Sequence, residues 1–528
     1  MYLKVQIFNV LMVIFASLVY SFPLVKKDGS NSDSGSSSGT LMLSLKHISN
    51  EFYTTTLKVG SSSQKLELVV DSGSADTWVM ASTNPFCSSN ARSGASRNQT
   101  YNGKTITDTI DCQGLTTLDI NASSQFRDLD IGRFYINYTD GSFADGYWAT
   151  DEVSAAGIQI SGLQFGIAKY ASEEISGILG LGFPRRESVR GYPGATNKFY
   201  DDFPVMLKKD GIVNVVAYSM YLNDPNGSAG GSVLFGGVDT SKYSGDLYTF
   251  PMANQYPTIV SKPATLAVTL QGFGAQKKSQ NRQETFSTNK YAVLLDSGTS
   301  LMGAPEEIVS KMAYFIDQNA RFSDEDGIYV MNCPPKNDDT EFVFDFGDLQ
   351  IAVPVSTLIL LPSSGESYCG LGVLSKQDTW TLGDVFLSYA YLVFDLDNYK
   401  VSMAKAKFTN DGDQTSQVKI QSDGTIPGAK IASAKPWTSE EPLTVNGSIF
   451  TKSSNFSFPS PSYYISGSTS GAAGKLKTTK SIQASQSVFS TSPSSAISSS
   501  SRDLIYTQTL TKYIYNTMTP TNFVCNTR

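Results

Sequence analysis

The chain of 528 residues is long enough for more than one buried core. Apolar residues make up 40%, rich in Val, Ile, Leu, Tyr and Phe, while Ser, Thr and Gly are abundant and only 17% are charged, a composition that favours β structure. A formal net charge of −7 leaves no broad basic surface to neutralise phosphates, which excludes nucleic acid as a partner class.

The first 21 residues, "MYLKVQIFNVLMVIFASLVYS", join a Lys near the start, an apolar centre and small residues near Ser21, the build of a secretory signal, with a membrane anchor as the alternative. No later segment reaches the roughly 18 uninterrupted apolar residues that cross a bilayer, so export without stable membrane insertion is expected. Residues 22–42 form a short polar leader in which Lys26-Lys27 is a candidate processing site. From about Leu43 to Lys407 β signals recur, among them "YTTTLKVG", "KLELVVD", "GRFYINYTDGSF", "EFVFDFGDLQIAV" and "AYLVFDLDNYKVSMA". Helical periodicity is weak and clearest over Pro305–Ala320, with Pro at its start. The expectation is an all-β protein of two lobes, residues 43–240 and 241–410. Residues 411–528 follow as a Ser/Thr-rich tail, whose stretch "SASQSVFSTSPSSAISSSSRDL" cannot bury enough surface to offset its conformational entropy. Its polar ending, "NFVCNTR", lacks the apolar run of a lipid-anchor signal.

Five cysteines in an exported chain favour two disulfides and one left over; proximity suggests Cys87–Cys112 and Cys333–Cys369, leaving Cys525. Six N-x-S/T triplets, at Asn98, Asn121, Asn137, Asn226, Asn446 and Asn455, suit a glycosylating secretory route.

Two stretches carry the chemistry. "VVDSGSADTW" and "AVLLDSGTSLMGAP" each end an apolar run in Asp-Ser-Gly, placing Asp71 and Asp296 in matching settings. One such turn is ordinary punctuation. Two suggest similar halves that each contribute a carboxylate. Downstream of each Asp a second feature repeats, "SGILGLGFP" and "WTLGDVF", where a Gly closing an apolar strand permits close backbone approach. His47 is the only histidine, which removes Ser-His-Asp and Cys-His arrangements and any His-ligated metal site; phosphate-loop and dinucleotide fingerprints are missing as well. Neither a metal nor a cofactor is expected. Two adjacent carboxylates can share a proton, one acting as general base on a water while the other donates to a carbonyl. Gly73 and Gly298 let backbone N–H groups approach, and Ser74 and Thr299 stand where they can bond the outer oxygens. A glycosidase is the alternative for a carboxylate pair, but its acid and base lie further apart and need no matching turns.

On these motifs the sequence resembles the pepsin-type aspartic endopeptidases over Leu43–Lys407. The two Asp-Ser-Gly turns match the family's active-site signatures, "SGILGLGFP" and "TLGDVF" its crossing strands, and "YTDGSFADG" its substrate-covering flap. The resemblance implies a bilobal fold with a cleft between the lobes, Asp71 and Asp296 as catalytic pair, and Tyr138, Asp140, Gly141 and Ser142 as flap residues, with Trp78 beneath Tyr138. Ser72 and Ser297 stand where many members have Thr, and Ser176 where Asp often precedes the Gly. The insert holding Cys87 and Cys112 resembles the fungal secreted and yapsin branch. Further stretches, including "GRFYINYTDGSFADG" and "SDGTIPGAKIASAKPW", are similar to a branch member that degrades a peptide mating pheromone, so a monomer acting on such a peptide in the extracellular or cell-wall space is expected. A wall-resident processing protease and an inactive peptide-binding protein led by the tail are the alternatives.

Overall fold

The structure is a computed structural model that describes residues 523–525 and residues 39–450, apart from 49–51, 88–99, 103, 107–109, 139–141, 190–198, 228, 325–326, 363–367, 377–379, 411–415, 434–436 and 438–447. The signal, nearly all of the leader, the Ser-rich stretch and the triplets at Asn98, Asn446 and Asn455 lie outside the described residues. The protein is mainly β, in two lobes.

In the first lobe a ten-stranded sheet has the order Ile158–Ile160, Val153–Ala155, Phe52–Val59, Gln64–Asp71, Gly177–Gly180, Trp78–Met80, Gln164–Ala171, Phe143–Thr150 and Arg127–Asn137, with Lys46–Ile48 added beside Phe52–Val59. Alternation sets its faces: Leu66 and Leu68 point into the core while Lys65 and Glu67 are at least partly solvated. The second lobe divides its strands among a five-stranded sheet, Ala267–Leu270, Tyr291–Leu295, Trp380–Leu382, Met302–Pro305 and Val373–Lys376, a four-stranded sheet and a second five-stranded sheet. A seven-stranded sheet, Leu41–Ser44, Ser232–Phe235, Ala217–Tyr221, Ala390–Asp395, Lys400–Ala406, Tyr243–Pro251 and Lys430–Ile431, draws on both halves, and one apolar core runs from Leu41 to Ala432. The helix expected over Pro305–Ala320 occupies Glu306–Ile316, with Pro305 at the N-cap and Ile308, Val309, Met312, Ala313 and Phe315 on its buried side.

Past residue 410 the chain continues along the body. Gln417–Lys419 pairs with Gly237–Asp239, Lys430–Ile431 runs parallel to Tyr248-Thr249, and Ile420, Ile426 and Ala432 are buried. Further on, Ile449 and Phe450 sit where side chains on Gly272 and Gly274 would otherwise be. Residues 417–450, expected in the tail, thus include segments that pack on the lobes. Apolar residues such as Ile420 and Ile426, among polar neighbours, are the sequence signal for this. Phe523–Cys525 pairs with Ile359–Pro362 through its backbone; the state of the Cys525 thiol lies outside the described residues.

Both expected disulfides are present, Cys87–Cys112 with Cα atoms 5.3 Å apart and Cys333–Cys369 with 4.9 Å. Among the described residues no helix is long and apolar enough to cross a membrane.

Candidate active site

Asp71 is the last residue of Gln64–Asp71, and the crossing strand Gly177–Gly180 lies parallel beside it, with Leu179 opposite Val70 and Gly180 opposite Asp71. Asp296 follows Tyr291–Leu295, and Trp380–Leu382 lies parallel beside that strand, with Leu382 opposite Leu295. Each crossing strand also runs antiparallel to the strand beyond the turn, Trp78–Met80 in one lobe and Met302–Pro305 in the other. The duplicated sequence is therefore a duplicated fold. Glycine is needed where the crossing strand passes the turn: a Cβ on Gly180 would lie 2.4 Å from the Ala75 carbonyl carbon, and one on Gly383 2.1 Å from the Thr299 and Leu301 oxygens.

The two turns meet. Gly73 N and Ser74 N donate to Asp71 Oδ1 at 2.7 and 3.2 Å, and Ser74 Oγ to Oδ2 at 2.5 Å. Gly298 N donates to Asp296 Oδ1 and Thr299 Oγ1 to Oδ2, both at 2.9 Å. The halves approach so closely that a Cβ on Gly73 would stand 2.4 Å from Asp296 Oδ1. Both carboxyls are fully buried. Burial raises Asp71, opposed first by the Ser74 hydroxyl and then by Gly73 N, whereas burial followed by the charge of Asp71 pushes Asp296 up to about 8. Asp296 is raised beside Asp71, the direction expected when two adjacent buried carboxyls share one proton. One ionised and one protonated carboxyl side by side can take a proton from water and give one to a carbonyl oxygen.

Trp78 Nε1 donates to Tyr138 Oη at 2.8 Å, and both rings are buried in an apolar cluster with Phe134, Ile136 and Trp148. Tyr138 directly follows the hairpin strand Arg127–Asn137, and its N–H donates to Ser142 O at 2.8 Å. Asp140 and Gly141 lie outside the described residues.

Three features were not anticipated from sequence. Ser72 and Ser297, seen only as departures from Thr, clasp the lobes: Ser72 Oγ donates to Leu295 O at 2.9 Å and Ser297 Oγ to Val70 O at 2.8 Å, while each hydroxyl accepts from the other's backbone N–H at 3.1 and 2.9 Å. Their identical place after each Asp was the available signal. Asp76 accepts from Ser188 N at 2.7 Å and Tyr200 Oη at 2.8 Å, close to the buried Glu187 and Asp202. Burial pushes Asp76 up to about 6, and burial with the charge of Asp76 pushes Glu187 up to about 11. Asp384 is buried with both carboxyl oxygens lacking a hydrogen-bond partner, and burial and the charges of Asp296 and Asp71 raise it well above the usual range. No spacing in the sequence links these distant residues.

Comparison with known proteins agrees with this geometry. The chain is 54% identical to Barrierpepsin of Saccharomyces cerevisiae over 413 residues, 78% of this chain and 70% of that protein. It is 34% identical to Aspartic proteinase 3 of the same yeast, over 76% of this chain and 78% of that protein, and 35% identical to Aspartic proteinase yapsin-3, over 81% and 80%. The family described as eukaryotic aspartyl protease matches residues 52–406, which span both Asp-Ser-Gly turns and both crossing strands. With two buried carboxyls joined across a duplicated β fold, this chain belongs to the eukaryotic aspartyl protease family and is an aspartic-type endopeptidase.

Proposed function

We propose that Asp71 and Asp296 are the catalytic pair of a secreted endopeptidase that degrades an α-factor-like peptide mating pheromone. Asp71 takes a proton from a water whose oxygen attacks the scissile carbonyl carbon, while Asp296 gives its proton to the carbonyl oxygen. Asp71 then protonates the amide nitrogen, Asp296 recovers a proton from the tetrahedral intermediate, and the C–N bond breaks. Gly73, Ser74, Gly298 and Thr299 hold the two carboxyls in register. Tyr138, braced by Trp78, and Asp140, Gly141 and Ser142 cover an extended peptide held through its backbone. The observation that carries the catalytic reading is the pair of buried carboxyls with matching donors, one from each Asp-Ser-Gly turn.

The substrate reading rests on the 54% identity to Barrierpepsin and on similarity that reaches past the lobes into "SDGTIPGAKIASAKPW". Export is supported by the build of the first 21 residues and by two disulfides, which persist in oxidising compartments. The experiment is to incubate purified protein with α-factor-like pheromone and a panel of other secreted peptides, map the cuts by mass spectrometry, and compare pheromone sensitivity of cells with and without the gene. Internal cleavage of the pheromone and heightened sensitivity after deletion are expected. Intact pheromone and unchanged sensitivity would leave a general endopeptidase.

A further inference from the structure

The insert between Trp78 and the hairpin is closed by Cys87–Cys112, and its aromatic residues are directed at one place. Tyr101 stacks on Phe143 with ring centroids 4.8 Å apart and planes at 14°, Phe86 meets Phe143 edge-on at 5.6 Å, and Phe86 and Tyr101 meet each other edge-on at 6.0 Å. Tyr135 stacks on Phe143 from the opposing hairpin strand at 6.4 Å. Phe143 is the register partner of Asn137, the residue before Tyr138. The insert is tied to the lobe beneath: Asn84 accepts from Phe86 N and Ala171 N and donates to Ala171 O, and Ile110 N donates to Phe86 O beside the disulfide. Cys87 and Cys112 are buried in the same apolar cluster as Trp78, Phe134, Ile136 and Tyr138. Across the hairpin, Arg133 grips Asp145 through two 2.6 Å hydrogen bonds and lies 4.7 Å from the Tyr135 ring centroid.

We propose that the disulfide-closed insert is a positioning element for Tyr138, with Tyr101 and Phe86 bracing the hairpin through Phe143 so that Tyr138 is set against Trp78 before substrate arrives. This rests on Tyr138 covering the substrate. A residue that orders the covering hairpin in advance lowers the entropy to be lost on binding, so its removal acts on substrate and inhibitor retention more than on the bond-breaking step. Tyr101 acts through its ring, since stacking carries the contact.

The test compares Tyr101→Ala and Tyr101→Phe with the unaltered full chain in KM, kcat, the dissociation rate of a statine-type inhibitor, and hydrogen exchange across residues 134–147. Tyr101→Ala should raise KM and the inhibitor dissociation rate about three- to tenfold, the loss of one or two aromatic contacts, while kcat changes less than about twofold. Exchange at the Tyr138 and Phe143 amides should quicken, and Tyr101→Phe should restore all three readings. Selective opening of Cys87–Cys112 by Cys87→Ser with Cys112→Ser should act in the same direction. Unchanged KM, dissociation rate and exchange in a folded Tyr101→Ala protein overturns the brace, as does a lowered melting temperature with normal kinetics. Tyr138→Ala separates the two ideas: if it leaves kinetics untouched while Tyr101→Ala still quickens exchange, the covering role of Tyr138 fails and the brace stands.

Discussion

Two hydroxyls decide how well the two carboxyls meet. Ser72 and Ser297 each donate to a carbonyl of the other lobe and accept from its backbone, so each hydroxyl is used both as donor and as acceptor. Ser72→Ala would leave Leu295 O and Ser297 N without partners, each a loss of about 1–3 kcal/mol, and would let the carboxyls drift. A displacement near 1 Å costs ~10²-fold in rate. Ser72→Ala should therefore lower kcat strongly together with thermal stability, whereas Ser72→Thr, which keeps the hydroxyl, should retain both; equal losses in the two variants would contradict the clasp. For the carboxyls themselves, Asp71→Asn or Asp296→Asn keeps shape but removes the shared proton. Hydrolysis should fall at least ~10²-fold with near-UV circular dichroism unchanged, and retention of substantial activity by either variant would defeat the assignment.

At the scale of elements, the chain after residue 410 matters most for stability. Ile420 and Ile426 are almost wholly buried, and two such side chains contribute about 3–6 kcal/mol. Lys430–Ile431 also covers an edge of the central sheet that would otherwise present unpaired backbone groups. A chain ending at residue 410 should unfold at markedly lower denaturant than one ending at 451, and the longer form should match the full chain in turnover. Should the two truncated forms melt together, the strap adds nothing.

At the scale of the whole molecule, a set of buried carboxyls ties stability to pH. Asp76, Glu187, Asp202 and Asp384 are buried, and each is raised above the ordinary carboxyl values of 3.8 or 4.5, first by loss of water. Below the unfolded values both states hold these protons and the stabilisation is complete. Above them the unfolded chain releases protons that the folded one keeps, so stability falls as pH rises, from about 4 to about 6 through Asp76 and onward through Glu187. Glu187→Gln removes one such group while its amide oxygen can still accept from Tyr200 N. Its melting temperature should equal that of the unaltered protein near pH 4 and exceed it by several degrees near pH 7. The same pH slope in both proteins would exclude Glu187 as a source of alkaline instability.

The sequence by itself determined the features that repeat or stay local. The two Asp-Ser-Gly turns, the crossing strands with their closing glycines, the β alternation and the near-neighbour cysteine pairs could be read because each depends on residues a short way apart, and duplication made coincidence a poor explanation. It also located Ser74 and Thr299 beside their carboxyls, since a turn of three residues permits little else. Tertiary structure alone brought the two carboxyls close enough to share a proton, because that follows from burial and from the field of a residue in the other lobe. It alone joined Asp76 to Glu187 and Tyr200, brought Ser72 to Leu295, and laid Gln417–Lys419, Lys430–Ile431 and Ile449 along the body. These contacts are selected by the packing of whole sheets, and no period or spacing in the chain encodes them.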